Sequence, residues 1–174
     1  NQPGDVSHVI DTLLARSGAG DPDDVLAGLI DADRIAVGGH SLGSATVFGF
    51  EHSCCRDDRV KAIVAISGGP APYPTGAYDP TFATPMLLVH GVQDPGVPVA
   101  ISEAVFEATP GKMDLLLFAE GDHTSLFAGA DGAILDRVVV AWLDRELGLD
   151  PAATEGLEDE VAATGRASLR SKPS

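Results

Sequence analysis

The sequence predicts an α/β fold of three layers, in which helices cover both faces of a mostly parallel sheet. Short apolar runs alternate along the chain with longer segments of helical periodicity. These runs are apolar at nearly every position, which is typical of parallel strands that are buried on both faces. The predicted strands are residues 34–37, 60–66, 85–90 and 113–119.

Helical segments are predicted before and between these strands. The first begins at Pro3-Gly4-Asp5, where Asp5 can cap the helix, and ends near Gly18. Its apolar residues recur at intervals of three and four, the spacing of one helix face. The remaining predicted helices are residues 42–54, 101–108 and 131–147.

The last part of the chain carries few large apolar residues. Residues 150–174 change from acidic to weakly basic and show no sustained periodicity. Such composition is typical of disorder. We therefore predict a partial α/β domain over residues 1–149 and a disordered tail over residues 150–174.

Composition and charge exclude several classes of protein. The chain has 174 residues, of which 44% are hydrophobic, and no apolar run long enough to span a membrane. Its 26 acidic and 11 basic residues give a formal net charge of −15. Nucleic acids and anionic membranes bind clustered positive charge, so neither is an expected partner. We expect a soluble protein, and secreted and cytoplasmic locations both stay open.

The cysteines are neighbours in sequence, Cys54 and Cys55. Adjacent cysteines rarely meet disulfide geometry, and two cysteines alone do not make a zinc site. We expect neither a disulfide framework nor a bound metal.

The first predicted strand leads into Gly39-His40-Ser41-Leu42-Gly43, which fits the G-x-S-x-G pattern of a nucleophile elbow. The pattern is common by chance, but here an apolar strand precedes it and a helix follows it. Glycines two residues before and after Ser41 are expected to let strand and helix pass closely. The N–H of Leu42 would then point towards a developing oxyanion.

An acid and a base follow two later strands. Asp94 lies just after the third strand and His123 just after the fourth, which gives the chain order Ser, Asp, His. A serine hydroxyl becomes nucleophilic when an imidazole takes its proton and a carboxylate orients that imidazole. Each residue alone has a simpler interpretation as part of a turn. Asp122 and Glu120 are rival acids, but residues so near His123 in sequence are poorly placed to orient its ring.

The other histidines are expected to have structural positions. We expect His8 and His52 on helix surfaces, His40 beside the serine and not acting as the base, and His90 in a structural role at a strand end.

Three stretches together resemble α/β-hydrolases: R-I-A-V-G-G-H-S-L-G, H-G-V-Q-D-P-G-V-P and G-D-H-T-S-L. The chain is most similar to esterases of the dienelactone-hydrolase-like, cutinase-like and platelet-activating-factor-acetylhydrolase-like groups. The resemblance implies that Ser41 is the nucleophile, Asp94 the acid and His123 the base. Dienelactone hydrolases carry cysteine at the nucleophile position, so Ser41 points to the esterases. Such a reaction requires no cofactor.

The chain also departs from this family. The family's sheet has further strands before the elbow, and a His-Gly loop among them supplies a second oxyanion donor. Neither is readable here, so we expect the C-terminal part of a larger hydrolase whose elbow strand exposes an apolar edge. That edge could pair with a missing N-terminal segment or with a second copy.

We therefore expect a hydrolase of small or extended carboxylic esters. Residues 70–84 form a loop too short for a large lid, and its aromatic residues are candidates to line the cleft or to pack against the body: Tyr73, Tyr78 and Phe82. A peptidase or thioesterase on the same residues is an alternative. A second alternative is a catalytically silent half-domain that pairs through its open sheet edge.

Overall fold

A computed structural model describes residues 2–52, 54–71, 78, 79, 81 and 84–172. Within these residues the chain forms one five-stranded sheet in the order β1-β2-β3-β4-β5. The first four strands run parallel and the fifth is antiparallel to its neighbour. The strands are β1 (Ile35–His40), β2 (Val60–Ile66), β3 (Met86–Gly91), β4 (Met113–Phe118) and β5 (Ala167–Ser171).

Helices cover both faces of this sheet. The helices are α1 (Gln2–Gly18), α2 (Leu42–Phe48), α3 (Ala100–Ala108), α4 (Gly129–Glu146) and α5 (Leu157–Ala163). Side chains of α1, α2 and α3 pack with one set of strand residues, and those of α4 and α5 pack with the alternate set. Successive strand residues point to opposite faces, so the continuous apolar runs fill both cores. The α/β fold is confirmed.

Strands β2, β3 and β4 lie within one residue of their predicted bounds. β1 also begins within one residue of its predicted start but continues through two glycines to His40, three residues beyond the predicted end. The predicted helix after the elbow is shorter than expected. It ends at Phe48, passes through a 3₁₀ turn at Gly49–Glu51 and reaches an extended residue, His52. His52 leaves the helical conformation because its backbone bridges to Tyr78.

The structure differs from the disordered tail expected after Asp150. Leu157 and Val161 on α5 are almost fully buried against α4, and β5 pairs with β4 from Phe118↔Ala167 to Asp114↔Ser171. The two apolar residues of α5 are spaced i, i+4, which places both on one face of the helix. Their burial stabilises a segment whose composition alone is typical of disorder.

A buried carboxylate joins β4 to α4. Asp114 is 4% exposed, and its Oδ2 accepts hydrogen bonds of 2.6 Å from Trp142 Nε1 and from Arg145. The carboxylate of Asp114 would be costly to bury without partners. Arg145 supplies the opposite charge, and Trp142 supplies a second hydrogen bond.

The turn after the 3₁₀ segment holds a disulfide between Cys54 and Cys55, with their Cα atoms 3.7 Å apart. The expectation that these cysteines would not pair is therefore wrong. The Cα atoms of disulfide-bonded cysteines usually lie farther apart than those of neighbouring residues. The two sulfurs are nevertheless bonded here.

Candidate active site

The elbow places Ser41 in a backbone conformation that ordinary residues avoid. Ser41 has φ 57° and ψ −116°, and its N–H donates to the carbonyl of Ile66 at the end of β2. A positive φ is costly for a residue with a Cβ and persists where the surroundings fix it. The strained turn therefore fixes Ser41 between β1 and α2.

The glycine before the serine is required by close packing. A Cβ on Gly39 would lie 2.0 Å from the carbonyl oxygen of Gly43, which leaves no room for any other residue. A Cβ on Gly43 would meet nothing within 4 Å outside its own helix. The expectation of two sterically required glycines therefore holds for Gly39 and is wrong for Gly43.

The neighbouring strand end is also strained, which the sequence did not reveal. Ser67, directly after β2, has φ 48° and is fully buried. A Cβ on the next residue, Gly68, would lie 2.5 Å from the Cβ of Ser44 and 2.8 Å from the carbonyl oxygen of Ser41. Only the Ser-Gly-Gly-Pro sequence after the strand indicated a tight turn here.

Asp94 lies in the loop after β3 with its carboxylate held from both sides. Oδ1 accepts hydrogen bonds from the N–H groups of Gly96 (2.8 Å) and Val97 (2.9 Å), and Oδ2 lies 2.6 Å from His123 Nδ1. Burial alone would raise the pKa of Asp94, but these hydrogen bonds together hold it below its ordinary value. Asp94 is therefore an ionised partner for His123.

His123 follows β4 in a loop that packs closely on the Asp94 loop. A Cβ on Gly91 would lie 2.3 Å from the carbonyl oxygen of Gly121, and the N–H of Gln93 donates to that same oxygen. The backbones of the two loops are therefore in direct contact. This contact explains how residues 29 positions apart come to share a hydrogen bond.

The rival acid Asp122 is occupied within its own loop. Its Oδ1 accepts hydrogen bonds of 2.8 Å from the N–H groups of Thr124 and Ser125, which lower the pKa of its carboxyl. Asp94, rather than Asp122, contacts the His123 ring.

His40 connects the elbow to the His123 loop. Its ring lies against the His123 ring with centroids 4.6 Å apart, and against Phe127 edge-on at 5.0 Å. His40 Nε2 is 2.8 Å from the carbonyl oxygen of His123, so Nε2 carries the proton and donates it. His40 immediately precedes Ser41, so this contact brings the serine turn beside His123.

Comparison with known proteins supports a hydrolase. The phospholipase/carboxylesterase family model, within the α/β-hydrolase superfamily, matches residues 4–114. This match covers more than half of the chain. The chain belongs to the phospholipase/carboxylesterase family. No curated protein shows significant similarity to it.

The family match contains Ser41 and Asp94 and ends before His123. The match therefore gives no support for His123 as a site residue of this phospholipase/carboxylesterase. The support comes from the structure, in which His123 hydrogen-bonds to Asp94 and contacts His40.

The aromatic candidates for the cleft are only partly described. Tyr73 and Phe82 lie outside the described residues. Tyr78 hydroxyl is 2.8 Å from Thr109 Oγ1, its ring packs edge-on against Phe48, and burial raises its pKa. These contacts favour packing against the body, one of the two roles considered for Tyr78.

Two further histidines are buried. His52 is 1% exposed, so the expectation of a surface position is wrong: the 3₁₀ turn and the bridge to Tyr78 draw it inward. His90 is fully buried at the end of β3, and its ring contacts Ser102 and the backbone of Val97.

Leu42 is the first residue of α2, with its side chain largely exposed. The first N–H groups of a helix have no partner within the helix. The Leu42 N–H therefore has no hydrogen-bond acceptor within α2.

In the described ranges, no group of three or more His, Cys, Asp or Glu residues could hold a metal ion. None of the helices in this part of the chain is long and apolar enough to cross a membrane.

Proposed function

We propose that this family member is a serine hydrolase of carboxylic esters, with Ser41 as nucleophile, His123 as base and Asp94 as acid. The observation that carries the proposal is the 2.6 Å hydrogen bond between His123 Nδ1 and Asp94 Oδ2. This bond leaves His123 Nε2 unprotonated to accept the proton of Ser41. The contact between His40 and His123 supports placing the base beside the serine.

The reaction then proceeds in two stages. Ser41 Oγ attacks the ester carbonyl carbon while His123 takes the hydroxyl proton, and the alcohol leaves with that proton. The acyl group remains on Ser41. Water then attacks the acyl carbon, His123 takes a proton from this water and returns it to Ser41 Oγ, and the carboxylic acid departs. The ionised Asp94 stabilises the imidazolium in both stages.

The oxyanion of each tetrahedral intermediate requires hydrogen-bond donors. We assign one of them to the N–H of Leu42, because it begins α2 directly after the nucleophile. The first turn of α2 contains no acidic residue that would oppose a negative charge.

The loop over residues 70–84 is too short for a large lid, which favours an open cleft and esters with small or extended acyl groups. The similarity to dienelactone-hydrolase-like, cutinase-like and platelet-activating-factor-acetylhydrolase-like esterases is part of this proposal. So is a role for Tyr73 and Phe82 in the cleft, whereas the contacts of Tyr78 favour its other role, packing against the body. A panel of esters, thioesters and peptides would separate esterase activity from the thioesterase and peptidase alternatives.

Fluorophosphonate labelling, measured by intact mass, tests the nucleophile. We expect one adduct on the purified chain and none on Ser41→Ala. Ser67→Ala is the matched control, because Ser67 shares the positive φ and the strand-end position but is fully buried. It should keep the adduct. An adduct that survives in Ser41→Ala would contradict the proposal.

A second candidate function is a catalytically silent half-domain that pairs through β1. The open edge of this strand favours it, because apolar grooves of about 740 and 430 Å³ flank β1 on its two faces. The partner would be another polypeptide segment or a second copy. Folded protein that forms no adduct, and whose β1 amides become protected from hydrogen exchange as concentration rises, would favour this candidate.

A further inference from the structure

His90 is a fully buried histidine that the proposed reaction does not use directly. Its Nδ1 lies 2.7 Å from Ser102 Oγ on α3, and its Nε2 lies 2.9 Å from the carbonyl oxygen of Val97. The ring thus joins the end of β3 to the loop that carries Asp94 and to the helix that follows this loop. A buried, fully bonded histidine of this kind can fix the position of its neighbours.

The hydrogen bonds assign the protonation of the ring. The carbonyl of Val97 can only accept, so His90 Nε2 carries a proton and donates it. Burial lowers the pKa of His90, against the Val97 carbonyl and the Asp94 carboxylate, which raise it. The ring is therefore neutral near pH 7, and Nδ1 accepts the hydroxyl proton of Ser102.

Val97 connects this ring to the acid through its own backbone. Its carbonyl accepts from His90, and its N–H donates to Asp94 Oδ1 at 2.9 Å. His90 Nε2 also lies 3.5 Å from Asp94 Oδ2, the oxygen bonded to His123. This separation is too long for a strong hydrogen bond, so the Val97 backbone carries the connection.

We propose that His90 is a positioning residue for Asp94: held by Ser102, the neutral ring fixes the Val97 backbone and thereby directs Asp94 Oδ2 at His123. The effect of His90 on reaction rates rests on the proposed function. The hydrogen bond between Asp94 and His123, in contrast, can be measured without any reaction. The charged and titratable groups around His90 are Asp94 on its own loop and His123 on the loop after β4.

Three variants separate the parts of this arrangement. His90→Gln keeps a donor for the Val97 carbonyl, His90→Leu removes donor and acceptor, and Ser102→Ala removes the hydroxyl that holds the ring. The matched control is Val105→Ala, which truncates another buried side chain of α3 that packs in the α1–α3 core. This variant should lower the melting temperature and leave the hydrogen bond between Asp94 and His123 unchanged.

Proton NMR in the Ser41→Ala background reports the acid–base hydrogen bond directly. We expect the strongly deshielded Nδ1 proton of His123 in the background protein, in His90→Gln and in Val105→Ala. It should be lost in His90→Leu and exchange faster with water in Ser102→Ala. A folded His90→Leu or Ser102→Ala protein that keeps the original signal unchanged overturns the proposal.

The kinetics of fluorophosphonate labelling, measured with Ser41 present, give the second readout. A displaced Asp94 should lower the rate constant in His90→Leu roughly tenfold to hundredfold, because small misplacements in a site are costly. His90→Gln should largely restore the rate constant, and Ser102→Ala should lower it to a smaller extent.

A merely structural role for His90 predicts another pattern. It would reduce the labelled fraction, as Val105→Ala is expected to do, and would leave unchanged both the rate constant of the folded molecules and the Nδ1 proton signal of His123. That outcome overturns the proposal. If His90→Leu does not fold, Ser102→Ala and His90→Gln decide the question. If the unmodified chain is folded and does not label, the proposed function fails, and the NMR signal alone decides the role of His90.

Discussion

The two outer strands of the sheet are protected very differently. β5 is short and antiparallel, its exposed positions carry polar side chains such as Ser168 and Arg170, and Arg170 lies over the Phe106 ring at 4.6 Å. β1 pairs with β2 alone among the described strands and contains Gly38-Gly39. Charged side chains protect an edge from further pairing, whereas small and apolar residues do not.

The proposed nucleophile lies beside the open edge. Ser41 directly follows β1, and His40 and Phe127 line the groove between β1 and α4. The protected edge carries none of the proposed catalytic residues. Its α5 and β5 instead bury Leu157, Val161 and part of Leu169. The comparison indicates that the proposed nucleophile and the surface open to pairing lie at the β1 edge, whereas the β5 edge contributes buried apolar side chains.

The largest expected effect is on the proposed chemistry. Asp94→Asn should lower the turnover of an activated ester by about 10⁴, because the amide favours the wrong tautomer of His123. Asp122→Asn is the matched control, since Asp122 bonds only to its own loop and its loss should cost far less. Similar turnover in the two variants would show that the acid lies elsewhere.

The next largest effect is on the free energy of unfolding, which we expect to fall more for a truncation beside β5 than for one beside β1. Leu157→Ala on α5 should lower the free energy of unfolding by about 2–5 kcal/mol, because this side chain is only 1% exposed. Leu13→Ala, in the groove between α1 and β1, makes the same chemical change at a partly exposed position and should cost less. Urea denaturation measures both. A larger loss for Leu13→Ala would reverse the comparison.

The sequence predicts the parallel part of this sheet well and its protected edge poorly. The four parallel strands contain mostly apolar runs, and such runs are typical of strands that are buried on both faces of a parallel sheet. β5 reads Ala-Ser-Leu-Arg-Ser, which has no local signal. This segment becomes a strand because its backbone pairs with β4. That pairing depends on the folded chain and not on the local sequence.

The candidate site divides in the same way. Ser41, Asp94 and His123 could be predicted because motif, order and strand ends are visible in sequence. The strain at Ser67 and the bond between His90 and Ser102 could not, because each depends on another element of the fold. The burial of His52 was missed because a bridge to Tyr78 draws it inward.

A smaller effect is expected on self-association. Gly38 is exposed on β1, and a Cβ there would make only ordinary contacts, the nearest at 3.7 Å. If two chains pair through β1, Gly38→Lys should weaken the dimer about tenfold by placing like charges together. Sedimentation velocity over a concentration series measures this.

Ser168→Lys makes the matching change on exposed β5 and should leave the association as it was. Dimerisation that responds equally to both variants would contradict an interface at β1.

The smallest effect concerns the polar contacts that hold α1 near the open edge. Arg59 contacts Asp57 at 2.7 Å and Asp11 of α1 at 2.6 Å. The hydrogen bond from Arg59 lowers the pKa of Asp57 to about 2, below its ordinary 3.8. The folded pKa lies below the unfolded one, so the stabilisation is present above about pH 4 and lost as the pH falls towards 2.

Asp57→Asn should therefore lower the free energy of unfolding by about 1 kcal/mol or less at neutral pH, because solvent screens a partly exposed pair. The difference from the unmodified chain should vanish near pH 2, as followed by urea denaturation at several pH values. Asp58→Asn is the matched control, since Asp58 is 86% exposed beside Arg56. A difference for Asp57→Asn that persists at pH 2 would show that packing, and not charge, holds α1 at this edge.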